Sequence, residues 1–339
     1  MTNLTLAAPL DMHLHLREQE MLALVAPFSA AQFAGGVIMP NLREPVDSLA
    51  RLRGYREAIF KACGGKTFTP FMTLFFREYS RQELVEAKEE IIGLKLYPAG
   101  ITTQSEAGVR DFDRIGPTVA LLEELDIPLL VHGETSGFVM ERETEFLAVY
   151  QWLAETFPRL RIVMEHITTA ASVAFLEKFD NVAATVTLHH LLITLDDVAG
   201  GLLQPHLFCK PIAKTPRDRE ALRHAALEGH PRLMFGSDSA PHPRHKKECC
   251  GCAAGVFSAP VALPKLVELF AEADRLDQLT GFVSANACRF YRITPPARTV
   301  TLVDTPWQVP ETYGPVRPYL AGQTLRWQMA EAPLIKPVH

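Results

Sequence analysis

From Leu10 to Arg17 the chain reads Leu-Asp-Met-His-Leu-His-Leu-Arg, apolar at the even positions and polar at 11, 13, 15 and 17. Side chains alternate faces along a strand, so the pattern predicts a strand over 9–15 with His13, His15 and Arg17 pointing the same way. Apolar, β-rich runs recur near 35–40, 68–76, 91–97, 127–133, 161–167, 182–189 and 232–238. Helix-period segments fill the gaps at 46–62, 80–89, 111–125, 141–156, 169–178 and 216–228. Ser80, with Glu83 three residues on, and Asp111 have the residue types that cap helix N-termini. The longest uncharged run, Met21 to Leu42, is broken by Pro27, Gln32, Gly35, Gly36, Pro40 and Asn41. It reads as a helix followed by a strand and not as a membrane span.

Eight strand–helix alternations predict an α/β chain, and a (β/α)8 barrel in preference to a doubly wound sheet. The barrel and the helices after it are expected over roughly 9–290, followed by a Pro-rich C-terminal extension, 291–339, packed on the barrel. On this reading residues 1–339 form one domain.

The composition adds mainly exclusions. The chain has 339 residues, 47% hydrophobic and 22% charged, with a net charge of −5, which offers no basic footprint for nucleic acid or an anionic membrane. Met-Thr-Asn-Leu-Thr-Leu at the start lacks the basic and apolar regions of a signal peptide, so a cytoplasmic location is expected. Six cysteines in a chain of this length do not suggest a disulfide framework. Cys249, Cys250 and Cys252 cluster, but no second pair lies at finger spacing, which argues against a structural zinc there.

In such a barrel, reactive groups sit where the strands end. The expected strands end in His13, His15 and Arg17, in Pro40-Asn41, in His132-Gly133-Glu134, in Glu165-His166 and in Gly236-Ser237-Asp238, while Lys95 lies inside Gly-Leu-Lys-Leu-Tyr. Two imidazoles two residues apart on a strand can chelate one metal ion. Singly, each histidine reads as a satisfied core residue; four of them at the same end of separate strands do not. Lys95 is costly to bury as an ammonium unless it snorkels to the barrel mouth or pairs with Glu134. Beside divalent cations its amine would be neutral, and a neutral amine can add CO2 to give an anionic carbamate.

Asp11-Met12-His13-Leu14-His15-Leu16-Arg17, Met39-Pro40-Asn41, Gly93-Leu94-Lys95-Leu96-Tyr97-Pro98, Val131-His132-Gly133-Glu134 and Glu165-His166, in this order, resemble the amidohydrolase superfamily. Gly236-Ser237-Asp238-Ser239-Ala240-Pro241-His242 narrows the resemblance to short, monofunctional bacterial dihydroorotases. The resemblance implies two zinc ions per chain, bridged by carboxylated Lys95 and a hydroxide. His13, His15 and Asp238 would hold one ion, and His132 and His166 the other. It implies that Asp238 shuttles the proton and that Arg17, Asn41 and His242 grip the substrate carboxylate. His15 and His132 would also border the substrate. Lys210 matches a backbone contact to the ring and stands where some relatives have an apolar residue, and Ala254, with Ala253 as the one-residue alternative, matches another substrate contact. Thr102 and Thr103 match a mobile loop that covers the substrate. His189 and His190 are left as structural residues, and His224, His230 and His245 as surface ones.

The implied reaction interconverts (S)-dihydroorotate plus water and N-carbamoyl-L-aspartate, in de novo pyrimidine (UMP) biosynthesis, by a cytoplasmic homodimer. Another cyclic amidase, hydantoinase- or allantoinase-like, would share the metal site without needing Arg17 and Asn41 at a carboxylate. A catalytically inactive scaffold relative would have lost ligand residues, and here every such position is filled.

Overall fold

A computed structural model describes residues 3–331. Eight parallel strands follow one another in chain order around a sheet: β2 (Leu10–Leu14), β3 (Gly35–Ile38), β4 (Thr69–Phe75), β5 (Gly93–Leu96), β6 (Leu129–Val131), β7 (Ile162–Met164), β8 (Val182–Val186) and β9 (Leu233–Phe235). The segment after β9 returns to β2, where the Asp238 N–H donates to the His13 carbonyl (2.8 Å) and the His15 N–H to that of Ser239 (3.1 Å). These bonds close the (β/α)8 barrel expected from the alternation. Helices between the strands lie near their expected ranges, among them Leu49–Ala62, Arg142–Thr156 and Pro216–Leu227. The Ser80–Glu83 capping box forms as its sequence suggests. The run 182–189 ends as a strand at Val186, because Thr187 caps a short helix, Leu188–Leu192, with its side chain on the His190 N–H.

Period-two patterning sorts the strand residues into two cores. Leu129 and Val131, Ile162 and Met164, and Leu233 and Phe235 face the helices. Leu130, Val163, Ala183 and Met234 meet Leu10, Met12, Val37 and Met39 inside the barrel. Continuing the alternation one step places His132, Glu165, Thr185 and Gly236 directly above this apolar layer, and the same rule turns Lys95 inward between Leu94 and Leu96. Gly236 is required there, since a Cβ would come within 2.8 Å of the His13 Cβ.

The first strand departs from strict alternation. Its ladder to β3 shifts register between Asp11 and Leu14. Leu10 and Met12 belong to the interior, whereas Leu14 and Leu16 pack outside. Such an irregularity re-aims side chains at a barrel rim, here His13 and His15.

A strand not expected from the sequence, β1 (Asn3–Ala7), pairs antiparallel with β10 (Thr299–Gln308), which pairs with β11 (Thr324–Met329). The C-terminal extension is thus tied to the N-terminus; its last eight positions, 332–339, lie outside the described residues. Glu268, on the helix Ala262–Glu272, accepts the Arg326 N–H of β11. Arg298 donates to the carbonyls of Ala30 (2.6 Å), Ala31 (3.1 Å), Phe33 (2.7 Å) and Thr67 (2.6 Å), docking the extension under the helix Gln19–Gln32.

Candidate active site

The C-terminal rim gathers four histidines from three strands, His13 and His15 from β2, His132 from β6 and His166 from β7. Glu165 on β7's extension accepts the Nδ1–H of His13 (2.7 Å) and the hydroxyl of Thr185 (2.6 Å). A carboxylate cannot donate, so His13 carries its proton on Nδ1 and turns the lone pair of Nε2 inward. In the same way Glu134 takes the Nε2–H of His132 (2.7 Å) and leaves Nδ1 facing His166 Nε2 at 3.2 Å. His15 Nε2 and His13 Nε2 lie 3.0 and 3.6 Å from Asp238 Oδ1. The ligand atoms of His13, His15 and Asp238 fall within 4.8 Å of one another.

Burial dominates the titration behaviour. It pushes the His15 imidazolium down to about 4, and those of His132 and His166 also downward, which leaves neutral imidazoles with lone pairs to offer. It likewise moves the Lys95 ammonium down to about 8. For Asp238 burial works the other way, but the His15 hydrogen bond and the nearby His13, His15 and His189 outweigh it and hold the carboxyl well below its ordinary range. Buried atoms here, His13 Nε2 and Lys95 Nζ among them, have no hydrogen-bond partner. Buried polar atoms are seldom left so, and a donor set of neutral imidazoles, an anionic carboxylate and an amine fits divalent metal ions.

The backbone at this rim is unusual as well. Arg17, His166 and Asp238 adopt positive φ of 59°, 40° and 41°. Such conformations are uncommon for residues other than glycine and persist where surrounding bonds over-determine them. Here the His166 N–H is held by Thr185 Oγ1 (2.6 Å), and Asp11 Oδ1 accepts the Ser237 N–H (2.8 Å) beside Asp238.

Next to the histidines lies a small cleft lined by His15, Arg17, Asn41, Tyr97, Thr102, Thr103, His132, His166, Lys210, Asp238, Ala240, Ala254 and Gly255. Arg17 donates to the Pro241 carbonyl (3.2 Å), and its other nitrogen meets His242 Nε2 at 3.1 Å. That imidazole nitrogen also lies 3.0 Å from the Ala254 carbonyl, so it serves only one of the two at a time. Asn41 donates to the Thr103 carbonyl (2.9 Å) and accepts from the Tyr97 hydroxyl (2.9 Å). The Lys210 side chain donates to the Ile101 carbonyl (2.6 Å), tying down the loop that carries Thr102 and Thr103. Every residue singled out above as ligand or substrate contact except Lys95 and the nearby His13 and His242 lines this cleft directly.

Residues that the sequence marked neither as ligands nor as substrate contacts prove central to the geometry. Glu165 and Glu134 set two imidazole tautomers, and Asp11 and Thr185 brace the backbone. Glu134 is occupied by His132 and not by Lys95. A histidine one or two residues away was the signal that Glu165, Glu134 and Asp11 carried; Thr185 carried none. His190 has both ring nitrogens engaged, Nδ1 with Thr187 (2.9 Å) and Nε2 with the Pro211 carbonyl (3.0 Å), although His189, His190 and Cys209 also lie close enough to share an ion. His224 and His245 are exposed, and His230 pairs with Glu177 (2.8 Å).

All six cysteines are free thiols, with Cys249 and Cys250 exposed. Changing Cys249, Cys250 and Cys252 together to Ser is expected to leave the metal content unchanged, because the cluster lacks a fourth ligand at structural-zinc spacing. Metal analysis showing one fewer ion would contradict this. Among the described residues, no helix is long and apolar enough to cross a membrane.

An amidohydrolase family model matches residues 11–293. The crystal structure of a dihydroorotase from Campylobacter jejuni superposes with a TM-score of 0.93 at 51% identity, covering 97% of this chain and 98% of that one. The dihydroorotase of Helicobacter hepaticus is 44% identical over 337 residues, 97% of this chain and 98% of its own. A Saccharomyces cerevisiae dihydroorotase, solved in complex with 5-fluoroorotic acid, superposes with a TM-score of 0.91 at 34% identity over 98% of this chain and 100% of that one. Similarity of this extent, reaching past the barrel into the C-terminal sheet, means that the chain belongs to the dihydroorotase family of amidohydrolases.

Proposed function

We propose that this chain interconverts (S)-dihydroorotate plus water and N-carbamoyl-L-aspartate, with two divalent metal ions, zinc in the first instance. The observation that carries this reading is the convergence of the His13, His15 and Asp238 ligand atoms, the facing His132 Nδ1 and His166 Nε2, and the unpartnered buried His13 Nε2 and Lys95 Nζ, at a cleft that Arg17 lines. His13, His15 and Asp238 would hold one ion, His132 and His166 the other, and Lys95, as a carbamate, both. When bound, such a pair polarises an amide carbonyl and makes water nucleophilic near neutral pH.

The remaining work falls to the chain. Glu165 and Glu134 keep His13 and His132 in the tautomers that face inward. Arg17, with Asn41 and His242 beside it, takes the substrate carboxylate, a contact remote from the scissile amide that converts binding energy into orientation. The backbone at Lys210 and Ala254 holds the pyrimidine ring. Asp238 accepts the proton of the attacking water and returns it to the departing ring nitrogen, base first and acid afterwards. The loop bearing Thr102 and Thr103, pinned by Asn41 and Lys210, shuts water out around the substrate. Run in reverse, the same groups close the ring, the direction that pyrimidine formation requires. Assembly as a homodimer rests on family resemblance, and a single-chain mass in sedimentation equilibrium would reject it.

The test is Arg17→Met. Arginine has no lone pair for a cation, so the variant should keep its metal content. Losing a charge-assisted bond to the carboxylate costs about 1.5–3 kcal/mol, roughly a ten- to hundredfold fall in kcat/KM on dihydroorotate. Hydantoin, which lacks the carboxylate, serves as the control. Undiminished turnover of dihydroorotate by Arg17→Met would refute the substrate assignment.

A further inference from the structure

Lys247 is 98% shielded from solvent yet has no carboxylate among its hydrogen-bond partners. Its Nζ instead donates to three main-chain carbonyls, those of Phe208 (2.9 Å), Ala253 (2.8 Å) and Gly255 (2.8 Å). An ammonium has three N–H groups, and all three are used. No neutral side chain offers three donors from one atom, which explains why a cation is kept in so enclosed a place.

The three carbonyls belong to the two segments that wall the cleft, 208–210 and 253–255. They are joined besides by the Gly255 N–H on the Phe208 carbonyl (2.9 Å). Gly255 sits at φ +149°, where a Cβ would come within 2.4 Å of the Ala240 carbonyl, so the turn of chain is fixed closely on both sides. In extended backbone, successive carbonyls point to opposite sides. With those of Ala253 and Gly255 drawn to Lys247, the carbonyl of Ala254 is turned the other way, where His242 Nε2 (3.0 Å) and Thr103 Oγ1 (3.5 Å) meet it.

We propose that Lys247 is a positioning residue for substrate binding: by gathering the carbonyls of Phe208, Ala253 and Gly255 it sets the orientation of the Ala254 peptide and its spacing from Lys210. It touches neither the metal ligands nor the substrate, and acts through these two backbone segments. The inference rests on the reading that both segments contact the pyrimidine ring. It separates ring binding, which Lys247 supports, from the chemical step, which it does not.

Lys247→Met and Lys247→Arg test it, assayed beside the unaltered chain on dihydroorotate in both directions. A thioether donates nothing, and a planar guanidinium cannot serve three carbonyls from a single atom. Lys247→Met is expected to raise KM about tenfold or more with kcat within about threefold of normal, and Lys247→Arg to raise KM by a smaller factor. Metal content should stay at two per chain in both. Loss of uniform binding gives this split, whereas general loosening of the fold lowers kcat, metal content and thermal midpoint together. If Lys247→Met does not fold, Lys247→Arg decides by the same split. Unchanged KM in a folded variant, a parallel fall of kcat and metal content, or failure of both variants to fold would each overturn the proposal. Failure of the unaltered, metal-replete chain to turn over dihydroorotate would instead strike at the proposed reaction.

Discussion

Asp238→Asn should abolish useful turnover while leaving the fold intact. The side chain sits on an extension of β9 with its backbone at φ 41° and its Oδ1 3.0 Å from His15 Nε2. His15 and His13 keep it anionic despite burial. Asparagine matches the shape, and its amide oxygen can still face a cation weakly, but it cannot accept a proton. Loss of a general acid–base group lowers kcat by about 10²–10⁴, and weakened ligation would deepen the fall. The measurement is kcat alongside metal content, with circular dichroism for the fold. A metal-replete Asp238→Asn with near-normal kcat would transfer the proton shuttle to Glu134 or His242.

The second large effect is expected at Lys95. Its amine lies inside the barrel with no partner for Nζ and the Tyr97 ring centroid 4.6 Å away. As an ammonium it would repel two cations; as a carbamate it offers two oxygens able to span the roughly 3.5–4 Å between the ions of a two-metal site. Carbamate formation needs only the amine lone pair on the carbon of CO2 and loss of one N–H proton. Lys95→Ala should therefore bind fewer than two metals and lose turnover, while Lys95→Glu, a shorter carboxylate, should retain part of both. Stripping the metal should release CO2, and reloading should be faster with bicarbonate present. Electron density ending in a plain amine at Lys95, in a fully active two-zinc crystal, would sink the idea.

Much of this was legible along the chain because strand and helix periods are local. Leu129-Leu130-Val131-His132 and Ile162-Val163-Met164-Glu165 each state, through alternation alone, which residue faces the barrel and which comes next at the rim. The positions of Lys95, His132 and Asp238 at one end follow from eight parallel strands, a consequence of the alternation itself. Asp11 was harder: the register shift before Leu14 breaks the alternation, and only the three-dimensional ladder reveals it.

What the order of residues determined by itself was the barrel, the end of it that is reactive, and the residue types gathered there. Tertiary structure decided the rest. Val300 and Leu302 alternate like any strand, but their partners are Leu6 and Leu4, at the far end of the sequence. Glu165 braces His13 from 152 positions away, and Lys247 holds Phe208 from 39 positions away. No local period encodes such pairings, because a hydrogen bond depends on distance and direction in space, and those are set only when the chain has closed on itself.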